Sequence, residues 1–119
     1  MREDLKKYVE EKVKEMIAAP SCCQEAKAAG RNWLEAVGTD KEVEMAEKMI
    51  RELEMDIMPV DSLIAFAESE AGAKVFGAEK AGELAAHGRA IKAAGAKYCD
   101  CPACAAVEAI LAKKDEILG

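Results

Sequence analysis

Apolar residues recur along most of this chain at intervals of three and four, and this periodicity constrains its fold more than any other feature. Such intervals place side chains on one face of an α-helix, so they predict helices that each bury one face. In the first predicted helix these residues are Leu5, Tyr8, Val9, Val13, Met16 and Ile17. In the third they are Val43, Ala46, Ile50, Leu53 and Ile57.

Composition and helix-end signals support the same fold class. The chain has 24 alanines, one threonine and 4% aromatic residues, which favours helix over sheet. Ser21 with Gln24, and Thr39 with Glu42, have the spacing of capping boxes. We therefore predict an all-α protein, an antiparallel helical bundle of four main helices and one or two short ones, forming a single domain over residues 1–119. The first three predicted helices end before Pro20, run from Cys22 to about Val37, and run from Thr39 to a stop at Pro59. A short helix and a turn follow Asp61, and the next helix runs from Ala78 to Ala94 and is stopped by Gly95. The last helix begins at Pro102, and its apolar face includes Val107, Ile110, Leu111 and Leu118. In the predicted helix after Ala78, Gly82 and Gly88 are expected to let a neighbouring backbone approach closely.

Net charge and hydropathy indicate which partners and which cellular location to expect for the protein. The net charge is −6, which argues against binding to a nucleic acid backbone. No run of about 18 apolar residues occurs, so no membrane span is predicted. The N-terminus is charged from Arg2 onward and does not resemble a secretory signal. We expect a cytoplasmic protein.

Five cysteines carry the main functional information. Cys22 and Cys23 are adjacent, while Cys99, Cys101 and Cys104 form a CxCxxC motif. In a reducing compartment such residues are typically metal ligands or redox thiols, not disulfides. All five lie at or just before predicted helix N-termini, where the positive end of the helix dipole favours thiolate over thiol.

These cysteines predict a four-thiolate centre. A turn that begins at Cys101 brings Cys104 to the same side, an extended Asp100 lets Cys99 reach the same point, and Cys22 or Cys23 supplies the fourth sulfur. We expect a [4Fe–4S] cluster, because structural zinc commonly uses two separate CxxC pairs and helix N-termini supply N–H donors to cluster sulfides. The expected role is one-electron transfer or cluster carriage.

Three alternatives remain open at this stage. The first is a zinc- or Cu(I)-binding module, structural or metal-transferring, in which Met45 and Met49 would add soft ligands for copper, although methionines on one helix face more often fill a core. The second is a thiol–disulfide protein that uses Cys101 and Cys104. The third is a metal site formed by Glu83 and His87 on one helical face, although both are more simply explained as surface residues. The sequence identifies no catalytic base and no substrate, so an enzymatic role is not predicted.

One segment of the chain is basic. Residues 71–98 contain five basic and two acidic side chains, a net charge of +3. This segment leads into the CxCxxC motif, where its charge can attract an acidic redox partner or offset an anionic cluster. An ordinary solvated helix face explains it equally well.

Three stretches carry a family resemblance: Pro20–Cys23, Phe66–Gly72 and Lys97–Cys104. They resemble a group of short proteins from anaerobic microbes that often carry a heat-shock-chaperone label. The chain has no glycine-rich phosphate loop and is too short for an ATPase chaperone domain. The resemblance therefore implies an anaerobic setting, in which an exposed cluster survives.

Overall fold

The computed structural model describes residues 1–119 and is all-α, with eight helices and no strands, as predicted. None of these helices is both long and apolar enough to span a lipid bilayer. The helices are α1 Glu3–Ala18, α2 Gln24–Ala36, α3 Glu42–Asp56, α4 Val60–Glu68, α5 Glu70–Phe76, α6 Ala78–Ala93, α7 Pro102–Leu111 and α8 Lys114–Leu118.

The internal contacts form two compact units. The larger unit contains residues 1–57 and 100–119, and the smaller unit contains residues 58–99. The larger unit therefore holds α1, α2, α3, α7 and α8, and the smaller one holds α4, α5 and α6.

The larger unit buries an aliphatic core around one tryptophan. Helix α1 packs on α2 and α7, while α3 packs on α2, α7 and α8. The α1–α2 contact is close at Gly30, where an added Cβ would lie 2.9 Å from Met16 Cε. The largest fully buried side chains are Val9, Val13, Met16, Trp33, Met49, Ile50, Leu53 and Ile110.

The smaller unit packs α4 against α6 and α5. Gly88 meets the Ile64 side chain so closely that an added Cβ would lie 2.8 Å from Ile64 Cγ1. The close neighbour at this glycine is therefore a side chain, not the backbone that was predicted. The same prediction for Gly82 was wrong, since nothing lies within 4 Å of a Cβ built there. Two ion pairs also link α6 to α4, namely Arg89 with Glu68 and Lys92 with Asp61.

Two predicted helix starts shift toward the C-terminus. Helix α2 begins at Gln24, because Cys23 has extended backbone angles and occupies the N-cap position. Helix α3 begins at Glu42, after a turn in which the Thr39 hydroxyl accepts the Lys41 N–H. The Glu42 carboxylate accepts the Gly38 N–H at 3.1 Å, so it still reaches back across the turn as a capping glutamate does.

The last predicted helix is divided in two. It is interrupted at Ala112 and Lys113, between α7 and α8. The interruption changes the buried face, so Ile117 is buried while Leu118, a predicted core residue, is exposed. Val43 was also expected in the core but is 60% exposed, because it lies in the first turn of α3 beyond the packed face.

Candidate metal centre

Three sulfur atoms converge in the CxCxxC segment. The Sγ atoms of Cys99, Cys101 and Cys104 all lie within 4.8 Å of one another. Cys99 is buried, and the other two are half-buried. All five cysteines of the chain are thiols, with no disulfide between them. Thiols gathered in this way form a group that can bind a metal ion, as the sequence predicted.

The start of α7 determines the positions of Cys101 and Cys104. Cys101 is the N-cap residue of α7, with extended backbone angles, and Pro102 follows at the first helical position. The Cys104 N–H donates a hydrogen bond to Cys101 Sγ at 3.4 Å. The first turn of the helix therefore brings the two sulfurs to the same side and gives one of them an amide donor.

Cys99 is held by backbone hydrogen bonds in the extended segment before α7. Its N–H donates to the Met58 carbonyl at 2.8 Å, and the Val60 N–H donates to the Lys97 carbonyl at 2.9 Å. Between these two bonds, Pro59 and Tyr98 form an isolated antiparallel bridge. This short ladder keeps the backbone extended up to Cys99 and fixes the third sulfur.

The Cys22–Cys23 pair lies just before α2, not in its first turn as predicted. Cys22 is buried, its N–H donates to the Ala19 carbonyl, and its thiol donates to the Cys23 carbonyl at 3.5 Å. Cys23 is exposed to solvent. The two neighbouring thiols therefore have different surroundings.

Burial and several charged groups determine the pKa of Cys22. Burial raises the pKa of the Cys22 thiol, and Asp56 and Cys101 raise it further by electrostatic repulsion of the thiolate. Lys27 and Arg31 act in the opposite direction. The effect of Cys101 on the pKa of Cys22 is smaller than the effects of burial, Lys27 and Asp56.

The main charged residue that affects Cys23 is an acid, Asp56. Its pKa is raised by desolvation of the sulfur, which neighbouring atoms shield in part although the residue is exposed. The nearby Asp56 carboxylate raises the pKa further by favouring the protonated thiol, while the Ala26 N–H lowers it. On balance the pKa of both neighbouring thiols is raised, in contrast to the expectation from the helix dipole, although the Ala26 N–H at the start of α2 lowers that of Cys23.

Asp56 influences both thiols of the Cys22–Cys23 pair, and the sequence analysis did not identify it. It ends α3, and a hydrogen bond with it is the largest cause of the raised pKa of Glu52. Asp56 Oδ2 is buried and has no hydrogen-bond partner. The available signal was the presence of several acids in the last turns of α3, because negative charge is unfavourable at a helix C-terminus.

The other candidate ligands are not members of the three-cysteine group. Met49 is fully buried in the core and Met45 is half-buried, as expected for packing residues. His87 and Glu83 are exposed on α6. Within residues 1–119, Cys99, Cys101 and Cys104 form the one group of three or more candidate metal ligands.

Compared with protein-family models, with curated proteins and with solved structures, the chain matches none of them.

Proposed function

We propose that this protein binds a metal centre through the thiolates of Cys99, Cys101 and Cys104, with a fourth thiolate from the Cys22–Cys23 pair. The observation that carries the proposal is the convergence of three sulfurs within 4.8 Å. Cysteines buried only for packing have no reason to gather around one point.

The spacing of the sulfurs favours a single tetrahedral ion. Sulfurs bound at about 2.3 Å to a tetrahedral zinc ion lie about 3.8 Å from each other. The observed limit of 4.8 Å is close to that value, so small side-chain rotations bring all three onto one ion. A [4Fe–4S] cluster attaches each thiolate to a different iron and so holds the sulfurs farther apart. Zinc is therefore the metal that we propose first.

A closed centre with four thiolates is typical of structural zinc. Residues 95–101 contain no helix and are held by a few backbone hydrogen bonds. A metal ion bound by Cys99, Cys101 and Cys104 would fix this segment to the start of α7. We accordingly propose that the metal stabilises the fold in this region.

A [4Fe–4S] cluster is the second candidate, with electron transfer or cluster carriage as its role. The observation in its favour is the Cys104 N–H that points at Cys101 Sγ, since such amide donors stabilise cluster-bound thiolates. An acidic redox partner would then meet the basic side chains of residues 71–98, of which Lys74, Lys80 and Lys97 form no ion pair.

Metal analysis of protein purified without oxygen tests both candidates. A colourless protein with one zinc per chain supports the structural zinc centre. A brown protein with about four iron and four sulfide per chain establishes the cluster instead. A chain that carries no metal, and binds none when zinc or iron with sulfide is supplied, would refute the proposal.

A further inference from the structure

Two of the three converging thiols belong to the same helical turn. Cys101 is the N-cap residue of α7, Cys104 lies in the first turn, and the Cys104 N–H donates to Cys101 Sγ at 3.4 Å. Their sulfurs are members of the group whose atoms all lie within 4.8 Å of one another. A disulfide bond is about 2.0 Å long, so side-chain rotation with a small adjustment inside one turn can join these two sulfurs. Two cysteines separated by two residues at a helix start are also a recurring redox arrangement.

Exposure to solvent separates this pair from the third thiol. Cys101 and Cys104 are half-buried, whereas Cys99 is 8% exposed. A thiol reacts with another disulfide only where that molecule can reach its sulfur. The backbone of Cys99 is also held in place, because its N–H donates to the Met58 carbonyl at 2.8 Å. Cys101 and Cys104 are therefore the accessible pair, and Cys99 is the sheltered thiol.

We infer that Cys101 and Cys104 form a redox pair that reduces small disulfides, and that oxidation of this pair prevents metal binding. In the first step, one thiol of the pair loses its proton and attacks a disulfide RS–SR. A mixed disulfide forms, and the departing RS⁻ takes up the proton. In the second step, the other thiol attacks the mixed disulfide in the same way, the Cys101–Cys104 bond forms, and a second RSH leaves. Two electrons pass from the two protein thiols to RS–SR.

The effect on the metal centre rests on the proposed function, because it concerns ligands of that same centre. Thiolates bind the metal, and a sulfur in a disulfide is no longer a thiolate. Oxidation of Cys101 and Cys104 leaves three of the five cysteines as thiols. Three thiols cannot form a closed centre with four thiolates, so disulfide formation and metal binding exclude each other.

Reaction with glutathione disulfide tests the redox pair. The full chain, reduced and freed of metal with a chelator, is incubated with glutathione disulfide, and the remaining thiols are then blocked with iodoacetamide. Peptide mass spectrometry should find a Cys101–Cys104 disulfide and an alkylated Cys99, with two glutathione thiols released per chain. Bound glutathione at Cys101 or Cys104 without a disulfide between them would overturn the inference, and so would a disulfide that contains Cys99.

The same reaction in urea shows whether the fold brings the two thiols together. Helix α7 is lost in urea, so the second thiol is no longer held beside the first. More chains should then stop at the mixed disulfide than in the folded protein. An equal fraction in both conditions would show that the start of α7 does not favour closure of the disulfide.

Two variants distinguish the pair from the sheltered thiol. Cys99→Ser removes a proposed metal ligand but leaves the pair intact, so the Cys101–Cys104 disulfide should still form. Cys104→Ser removes the second thiol, so one glutathione should remain attached to Cys101. Loss of the disulfide in Cys99→Ser, or an unmodified Cys101 in Cys104→Ser, would contradict the assignment of the pair.

Zinc titration of the oxidised chain separates failure of the inference from failure of the proposed function. The reduced chain should bind about one zinc, the oxidised chain none, and a dithiol should restore binding. If the disulfide forms but the oxidised chain still binds one zinc, Cys101 and Cys104 are not ligands and the proposed function fails. If the reduced chain binds zinc but glutathione disulfide does not join the pair, the inference fails and the metal centre stands.

Discussion

The two cysteine segments of this protein differ in how their geometry is determined. In the CxCxxC segment, the start of α7 and a short backbone ladder place three sulfurs together within six residues. At Cys22–Cys23, two thiols occupy unlike surroundings, one buried and one exposed beside a carboxylate. Local backbone structure is enough to gather three thiols, whereas the surroundings of the other two depend on charged groups from other helices.

The largest expected effect comes from Cys101→Ser. This change removes both a ligand and the sulfur that accepts the Cys104 N–H, so it should abolish stable metal binding. Metal content after gel filtration measures the loss, and Met45→Leu, a change at a half-buried packing residue, is the control that should retain the metal. Equal metal content in the two variants would show that Cys101 is not a ligand.

Metal removal should have the next largest effect. A ligand that binds only the folded state stabilises it by about 4 kcal/mol when its free concentration is about 1,000 times Kd. Chelation should therefore lower the melting temperature measured by circular dichroism. It should also speed hydrogen exchange at the Cys99 amide more than at the amides of the α1 core. A melting temperature that does not change on complete zinc removal would argue against a structural role.

Asp56→Asn should have an intermediate effect, visible in the metal-free protein. Asp56 raises the pKa of Cys23 because the nearby carboxylate favours the protonated thiol. Removing the charge should lower that pKa, so the pH at which alkylation of Cys23 accelerates should decrease. The rate of alkylation as a function of pH gives this midpoint. The same midpoint in parent and variant would show that Asp56 does not control the thiol.

Lys27→Gln should have the smallest effect and should act on the other cysteine. Lys27 lowers the pKa of Cys22, so its removal should weaken zinc binding by about twofold to fivefold, as expected for one partly screened charge. Competition with a chromogenic chelator measures the affinity. The variant should leave the alkylation midpoint of Cys23 unchanged, and a larger shift at Cys23 than at Cys22 would contradict the charge assignment.

Much of the fold follows from sequence pattern because each helix has a local cause. The steps of three and four predict α1 and α3, and Pro102 with Gly95 predicts the boundaries of α7 and α6. The same local reasoning predicts the convergence of Cys99, Cys101 and Cys104, which are separated by a single helical turn and one extended residue.

The errors occur where long-range contacts decide the outcome. Because the last helix is divided into α7 and α8, Ile117 is buried in the core and Leu118 is exposed. The periodicity of the last segment does not predict this division. Asp56 was missed because its proximity to Cys23 depends on the packing of α3 against α2. A residue distant in sequence cannot be assigned to a site by spacing alone.

X-ray absorption at the zinc edge of the zinc-loaded protein tests the central claim most directly, that the converging thiols bind one tetrahedral ion. The account predicts a single shell of four sulfurs at about 2.3 Å with no metal neighbour. A shell dominated by nitrogen or oxygen would contradict it. So would protein isolated without oxygen that carries iron and shows a short iron–iron distance at the iron edge.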